Sequence, residues 1–243
     1  MTAFRSHAYS IIGLAWTIIL CILYLPLLAA PRDVHRVAVR FWARGLLGLL
    51  WVVCGLRHRV VGRDNLPAGP ALIAAKHQSA WETLALLVIA RRPVFILKKE
   101  LLRVPLIGWH FRKFGNIGID RMHGATALRA MVPAAGAALA AGYQVIVFPE
   151  GTRVGVGEHR AYQPGIAALY ARTTAPVVPV ALNSGRFWGR RSAIRYPGTI
   201  TIAFLPPIAA GLDRRTFMRE LECRIEDASA RLDGDGRDGE AAA

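Results

Sequence analysis

A histidine and a glutamate five positions apart are the first residues in this chain whose types and spacing suggest chemistry. They sit in Lys76-His77-Gln78-Ser79-Ala80-Trp81-Glu82, directly after an apolar run, Ala71-Leu72-Ile73-Ala74-Ala75. A neutral imidazole can take a proton from an attacking hydroxyl, because its reference pKa lies near 6.5. A carboxylate on the other ring nitrogen would fix the tautomer and stabilise the imidazolium. The same letters admit a plainer use. Ser79-x-x-Glu82 is also a capping box, in which Glu82 satisfies backbone donors and His77 is a loop residue.

Three further groups follow short apolar runs. Phe148-Pro149-Glu150-Gly151-Thr152-Arg153 contains a glycine that permits a tight turn. Arg153, with the local N–H groups, could bind a phosphate, or it could be a solvated arginine in an ordinary turn. Gly115-Asn116-Ile117-Gly118-Ile119-Asp120-Arg121 ends in a charged pair. Arg121 is either a second phosphate fork or half of a surface pair worth little. Lys98 and Lys99 close a fourth run, facing the same anion or water.

These groups must be positioned by regular elements. From about residue 58, short apolar runs alternate with helical patterns. The expected strands are 71–75, 93–97, 116–119, 144–148, 177–182 and 199–205, and the expected helices 80–90, 124–141 and 164–173. Pro133 implies a kink or a late start in the middle helix. The alternation predicts an α/β domain over 58–232, with a mainly parallel sheet flanked by helices. Ligands of such sheets sit beyond the carboxyl ends of the strands, so the polar groups would meet at one edge. Residues 233–243 (DGDGRDGEAAA) carry no large apolar side chain and are expected to form a disordered tail.

The chain has 243 residues, and its 53% hydrophobic content is concentrated near the N-terminus. Residues 10–30 contain no charge and are long enough to span a bilayer. A signal peptide would have a shorter apolar core, and Pro31 after Leu28-Ala29-Ala30 makes a poor cleavage site, which favours a retained anchor. Residues 45–56 are apolar but too short to span alone. Arg32, Arg36, Arg40 and Arg44 precede them at helical spacing, and Trp42 and Trp51 are interface-loving aromatics. Residues 1–57 therefore read as a membrane-anchoring helical hairpin, with one helix in the membrane and one basic helix along it. Arg57, Arg59 and Arg63 place the following domain on the cytoplasmic side.

A formal charge of +15 requires an anionic partner, either nucleic acid or lipid. No nucleic-acid motif is present and the apolar N-terminus fits that partner poorly, so lipid is expected and nucleic acid is not. Cys21, Cys54 and Cys223 show neither metal-ligand spacing nor a disulfide framework, in keeping with a reducing, cytoplasm-facing setting.

Taken together, KHQSAWE at 76–82, GNIGIDR at 115–121, FPEGTR at 148–153 and VVPVAL at 177–182 resemble, in order and spacing, the motifs of the 1-acyl-sn-glycerol-3-phosphate acyltransferase family. That family belongs to the wider glycerolipid acyltransferases. AKHQSAWET and KKELLRVPLIGW resemble its bacterial members, and the likeness covers nearly all of residues 58–210. One position departs: Glu82 stands where the family carries aspartate, which lengthens the arm and keeps the carboxylate.

The resemblance implies transfer of an acyl chain from acyl-CoA or acyl carrier protein to the sn-2 hydroxyl of lysophosphatidic acid, in phospholipid biosynthesis. His77 would be the base and Glu82 its brace. Arg121 and Arg153 would hold the phosphate, Glu150, Gly151 and Thr152 would shape its pocket, and Lys98 would add charge. No serine or cysteine sits in a nucleophile elbow, so no acyl-enzyme is expected, and no metal or cofactor beyond the acyl donor. The setting implied is the cytoplasmic face of the inner membrane. Two other uses of the same residues are acylation of another lyso-lipid, either a lysophospholipid or a lyso-aminolipid, and non-catalytic binding of anionic lipid.

Overall fold

The computed structural model describes residues 1–120 and 124–238, with backbone only at 124, 125 and 235–238. Helix α1 (Thr2–Leu23) begins well before the uncharged run. A 3-10 turn, Leu25–Leu28, has Pro26 in its first positions and leads into α2 (Arg32–Cys54). The two helices pack closely because small residues face large ones. A Cβ added at Gly45 would stand 2.6 Å from the Trp16 ring. Indole N–H groups stitch the pair: Trp16 Nε1 donates to the Trp42 carbonyl at 3.2 Å and Trp42 Nε1 to Thr17 Oγ1 at 3.0 Å. Both helices are long and apolar enough to cross a membrane by length and composition.

The hairpin departs from expectation in what its arginines do. Arg32 and Arg44 are exposed, but Arg36 is buried. Its guanidinium donates to the carbonyls of Pro93 at 3.2 Å and Phe114 at 2.8 Å, and lies over the Phe114 and Tyr143 rings. Arg40 donates to the Ala90 and Arg91 carbonyls, where a cation meets a helix's C-terminal carbonyl end. The inner part of the stripe thus fastens α2 to the protein instead of to a lipid surface. Buried carbonyls without partners are costly, and arginine supplies several donors on a long arm.

The sheet begins at β1 (Leu56–Val61), earlier than expected. Then come β2 (Ala71–Ala75), α3 (Trp81–Ile89), β3 (Pro93–Lys98), α4 (Ile107–Phe114), β4 (Ile117–Ile119) and α5 (Gly124–Ala140, with Pro133 inside the helix). The chain continues through β5 (Gln144–Val147), α6 (Gly165–Tyr170), β6 (Val177–Leu182), α7 (Ser184–Phe187), β7 (Gly198–Phe204) and α8 (Arg214–Asp238). The seven strands run in the order β1-β7-β6-β2-β5-β3-β4. All neighbours are parallel except β6 and β7.

Strand β2 is buried along its whole length because it lies between β6 and β5 with helices on both faces. Its alternation sorts the core. Ala71, Ile73 and Ala75 pack with Leu46, Leu50 and Leu86 of the α2–α3 layer. Leu72 and Ala74 pack with Met131, Ile166 and Phe217 of the α5–α6–α8 layer. Of the expected disordered tail, residues 233–238 instead continue α8, and residues 239–243 lie outside the described residues. Asn183 Nδ2 donates to the Leu232 carbonyl at 3.1 Å and Arg186 Nη1 to the Asp233 carbonyl at 2.5 Å, so side chains from elsewhere in the fold tie down the helix at residues 232–233.

Candidate active site

Beyond the end of β2 the chain turns through Lys76–Ala80 into α3, and this turn carries the base candidate. His77 Nδ1 lies 2.8 Å from Glu82 Oε1. The same oxygen accepts from the amides of Gln78 at 2.8 Å and Ser79 at 2.7 Å. Glu82 Oε2 accepts from the hydroxyls of Ser79 at 2.6 Å and Ser184 at 2.9 Å. Ser79 Oγ in turn accepts from the Trp81 amide at 3.0 Å. The capping and the bracing readings of Glu82 therefore coexist in one carboxylate. The longer arm of glutamate lets it reach back over the turn to the ring while also closing the helix start.

Glu82 is 0% exposed. Burial by itself would raise its carboxyl pKa. The bonds from His77 and Ser79 outweigh that and hold it below the ordinary value, so it is an anion at neutral pH. The His77 ring stacks on Phe148, with centroids 4.0 Å apart. Its Nε2 has no protein partner among the described residues, and the ring lines a cavity. A braced imidazole with one free nitrogen in a cavity can serve as a general base.

The FPEGTR segment is stitched to this turn at the backbone. The Val154 amide donates to the His77 carbonyl at 2.8 Å, and the His77 amide donates to Glu150 Oε2 at 2.8 Å. Gly151 turns the segment at φ +71°, where an L side chain would be strained. Lys76, pointing away from His77, joins Glu150 at 2.6 Å and Glu226 at 2.7 Å, and Tyr162 Oη donates to Glu226 at 2.8 Å. Burial would lower the Lys76 pKa, but its two carboxylate partners raise it, so the ammonium keeps its proton. Burial raises the Glu150 carboxyl above the usual carboxylate range against the pull of Lys76.

The cavity has a volume of about 480 Å³, within the usual range for small-molecule sites. Much of its wall is apolar, with Leu20, Trp42, Leu84, Leu87, Phe111 and Phe114 contributed by α1 to α4. Its lining also carries His77, the Thr152 hydroxyl and four cations, Lys98, Arg153, Arg190 and Arg191; among the described residues no acidic side chain lines it. Among the described residues, none of these cations has a protein partner.

The expected site residues are thus brought together unevenly. His77, Thr152, Arg153 and Lys98 meet at the cavity. Glu82 stands behind His77. Glu150, expected in the phosphate pocket, is instead buried with Lys76 and Glu226, away from the cavity wall, because a carboxylate between an ammonium and a backbone amide is drawn inward. Gly151 shapes the turn without lining the cavity. Arg121 lies outside the described residues. Sequence reasoning missed Ser184, Glu226, Arg190 and Arg191. For the first two no local pattern exists, whereas consecutive arginines after Gly189 were a usable signal. Among the described residues, no group of three or more His, Cys, Asp or Glu side chains could hold a metal ion.

Comparison with known proteins shows the family. Residues 57–183 match the family model described as Acyltransferase. The chain is 36% identical, over 195 residues, to the 1-acyl-sn-glycerol-3-phosphate acyltransferase of Pseudomonas aeruginosa, covering 80% of this chain and 76% of that one. It is 29% identical to the alpha form of the same enzyme from Homo sapiens, covering 79% and 69% of the two chains. The crystal structure of the 1-acyl-sn-glycerophosphate (LPA) acyltransferase PlsC from Thermotoga maritima superposes with a TM-score of 0.78 at 19% identity, over 96% of this chain and 98% of that one.

Proposed function

The chain belongs to the acyltransferase family, and from that premise we propose that it acylates the sn-2 hydroxyl of lysophosphatidic acid, giving phosphatidic acid. The carrying observation is a braced imidazole in the wall of a largely apolar cavity that also carries four cations without a protein partner among the described residues. An acceptor of this kind has a hydroxyl to deprotonate and a phosphate to hold, and the transferred group is a chain of hydrocarbon.

In the reaction, the acceptor hydroxyl sits within about 3 Å of His77 Nε2. The oxygen attacks the thioester carbonyl of acyl-CoA or acyl carrier protein as its proton passes to Nε2. Glu82 holds the ring through Nδ1 and stabilises the imidazolium. Collapse of the tetrahedral intermediate breaks the carbon–sulfur bond, and the thiolate leaves with the proton from His77. The products are an ester and a thiol. The step is redox-neutral and the donor brings its own activated acyl group, so no cofactor beyond that donor is invoked.

Arg153 and Lys98 hold the acceptor's phosphate, with Arg121 assigned to the same anion from the sequence motif. A guanidinium suits this task because it forks onto two phosphate oxygens. The acyl tail lies between α1 and α4, where the wall is apolar. Exposed Phe4, Ile11, Leu14, Ile18 and Ile22 of α1 rest in the lipid from which the acceptor comes. The basic surface faces the anionic cytoplasmic leaflet of the inner membrane.

A transfer assay with purified protein, palmitoyl-CoA or palmitoyl-acyl carrier protein and lysophosphatidic acid tests the proposal. Phosphatidic acid is the expected product. Its absence with both donors, or faster acylation of a lysophospholipid or lyso-aminolipid, would overturn the acceptor assignment.

A further inference from the structure

The connection from α7 to β7 brings to the cavity two arginines that the mechanism above leaves unused. Arg190 and Arg191 are exposed at the wall that also holds His77 and Arg153, and neither has a protein partner among the described residues. Arg191 takes a left-handed backbone conformation, φ 60°, which is unfavourable for any residue with a Cβ. Such strain persists only where surrounding structure imposes it.

Here the surroundings are built. The Ser192 amide donates to the Gly189 carbonyl at 3.1 Å and the Tyr196 amide to the Phe187 carbonyl at 2.8 Å. Buried Arg195 donates to the Ser6 carbonyl at 3.0 Å and Ser10 Oγ at 2.8 Å, with its guanidinium over the Tyr9 and Trp188 rings. The loop is thereby clamped to α1 and holds its arginines at the cavity instead of letting them range through solvent.

Sheet order separates these arginines from the other cations. His77 follows β2, which lies between β6 and β5. Lys98 ends β3 and Arg153 follows β5, on one side of β2. Arg190 and Arg191 come after β6, on the other. The reaction unites two phosphorylated molecules at one base. One phosphate sits on the acceptor's glycerol, and one lies on the pantetheine arm shared by acyl-CoA and acyl carrier protein. We infer that Arg190 and Arg191 grip the phosphate of the donor's phosphopantetheine arm, across His77 from the cations that hold the acceptor. This assignment rests on the proposed transfer reaction for the identity of the two substrates.

The test separates donor from acceptor. S-hexadecyl-CoA, a thioether that cannot transfer its chain, is titrated calorimetrically into the full-length protein in detergent micelles. Removing charge-assisted contacts in the Arg190→Gln/Arg191→Gln double variant should raise its Kd about 10-fold or more, while Arg153→Ala should leave it within about 2-fold. In turnover, the double variant should show raised KM for both palmitoyl-CoA and palmitoyl-acyl carrier protein and an unchanged KM for lysophosphatidic acid. S-palmitoyl-pantetheine, which lacks the phosphate, should react equally with both proteins. Arg191→Gly, which relieves the backbone while deleting the side chain, should also weaken binding of the thioether.

Equal thioether binding by parent and double variant overturns the inference, as does a raised KM for lysophosphatidic acid alone. A loss confined to the CoA donor would assign the arginines to its nucleotide phosphates and overturn the arm assignment. A parent protein that binds the thioether but transfers nothing to lysophosphatidic acid would instead strike the proposed acceptor, while the binding arm still decides the role of the arginines.

Discussion

Lys76 and His77 are neighbours in the chain, yet each stands at the centre of a different ionic cluster. Both clusters are built on buried glutamates from conspicuous motifs, Glu150 and Glu82. Around Lys76 every charge is met: its ammonium lies between Glu150 and Glu226, and Tyr162 completes the second acid. Around His77 the brace is equally complete on the Glu82 side, but the other ring nitrogen is left open to the cavity. The difference follows from a side-chain alternation that sends one residue into the protein and the next toward the cavity. A satisfied cluster can only hold the fold, whereas one with a single unmet proton acceptor can also act on a ligand. A conspicuous charged residue in a motif is therefore not by itself a ligand contact.

The contrast is tested most severely at the two central residues. His77→Ala should lower turnover by about 10²–10⁴-fold while the melting temperature stays near that of the parent. Lys76→Met should do the reverse. It strands the buried Glu150 and the half-buried Glu226, which costs on the order of 3 kcal/mol and should lower Tm by about 10 °C, with turnover of the protein still folded falling far less. Thermal melts and steady-state assays on both variants check the pair. Large kinetic damage from Lys76→Met in folded protein would break the contrast.

A smaller effect is expected at Glu82. Glu82→Gln keeps the shape and the cap but removes the charge facing the imidazolium, so turnover should fall by about 10–100-fold. Glu82→Asp should fall less, since it keeps the charge and the residue type usual in the family. The reverse order, read from kcat, would return Glu82 to a purely capping role.

The smallest effect is a pH dependence of stability. The Glu82 carboxyl titrates lower in the folded protein than its ordinary value of 4.5, so the folded state binds fewer protons there. Its contribution is complete above about 4.5 and is lost as pH falls through the lower folded value. Urea denaturation at stepped pH should show the stability gap between parent and Glu82→Gln narrowing as the solution is acidified from pH 6 toward 3. A gap that widens would show that Glu82 is not held as an anion.

Much of the scaffold was legible. The bounds of β2 and β6 are those read from their uninterrupted apolar runs, because strands buried on both faces need no polar alternation. The edge strand β1 was not legible, since Arg57, His58 and Arg59 leave it without an apolar run. Nor was α4, whose eight residues mix aromatic, basic and apolar side chains. The arginine stripe of α2 had the expected spacing. Only packing showed that Arg36 and Arg40 serve carbonyls of the adjoining domain, because spacing fixes a helix face and not what that face meets.

The amino-acid sequence by itself determined the layered α/β arrangement, the apolar N-terminal hairpin, and the pairing of a histidine with an acid one helical turn away. These rest on local periodicity and short spacings, which the chain carries with it wherever it folds. The tertiary structure alone decided that Ser184 completes the bonding of Glu82, that Glu150 turns inward to Lys76 and Glu226, and that Arg190 and Arg191 reach the wall that holds His77. Those contacts join residues far apart in sequence, from strands whose order in the sheet differs from their order in the chain, so no local pattern encodes them.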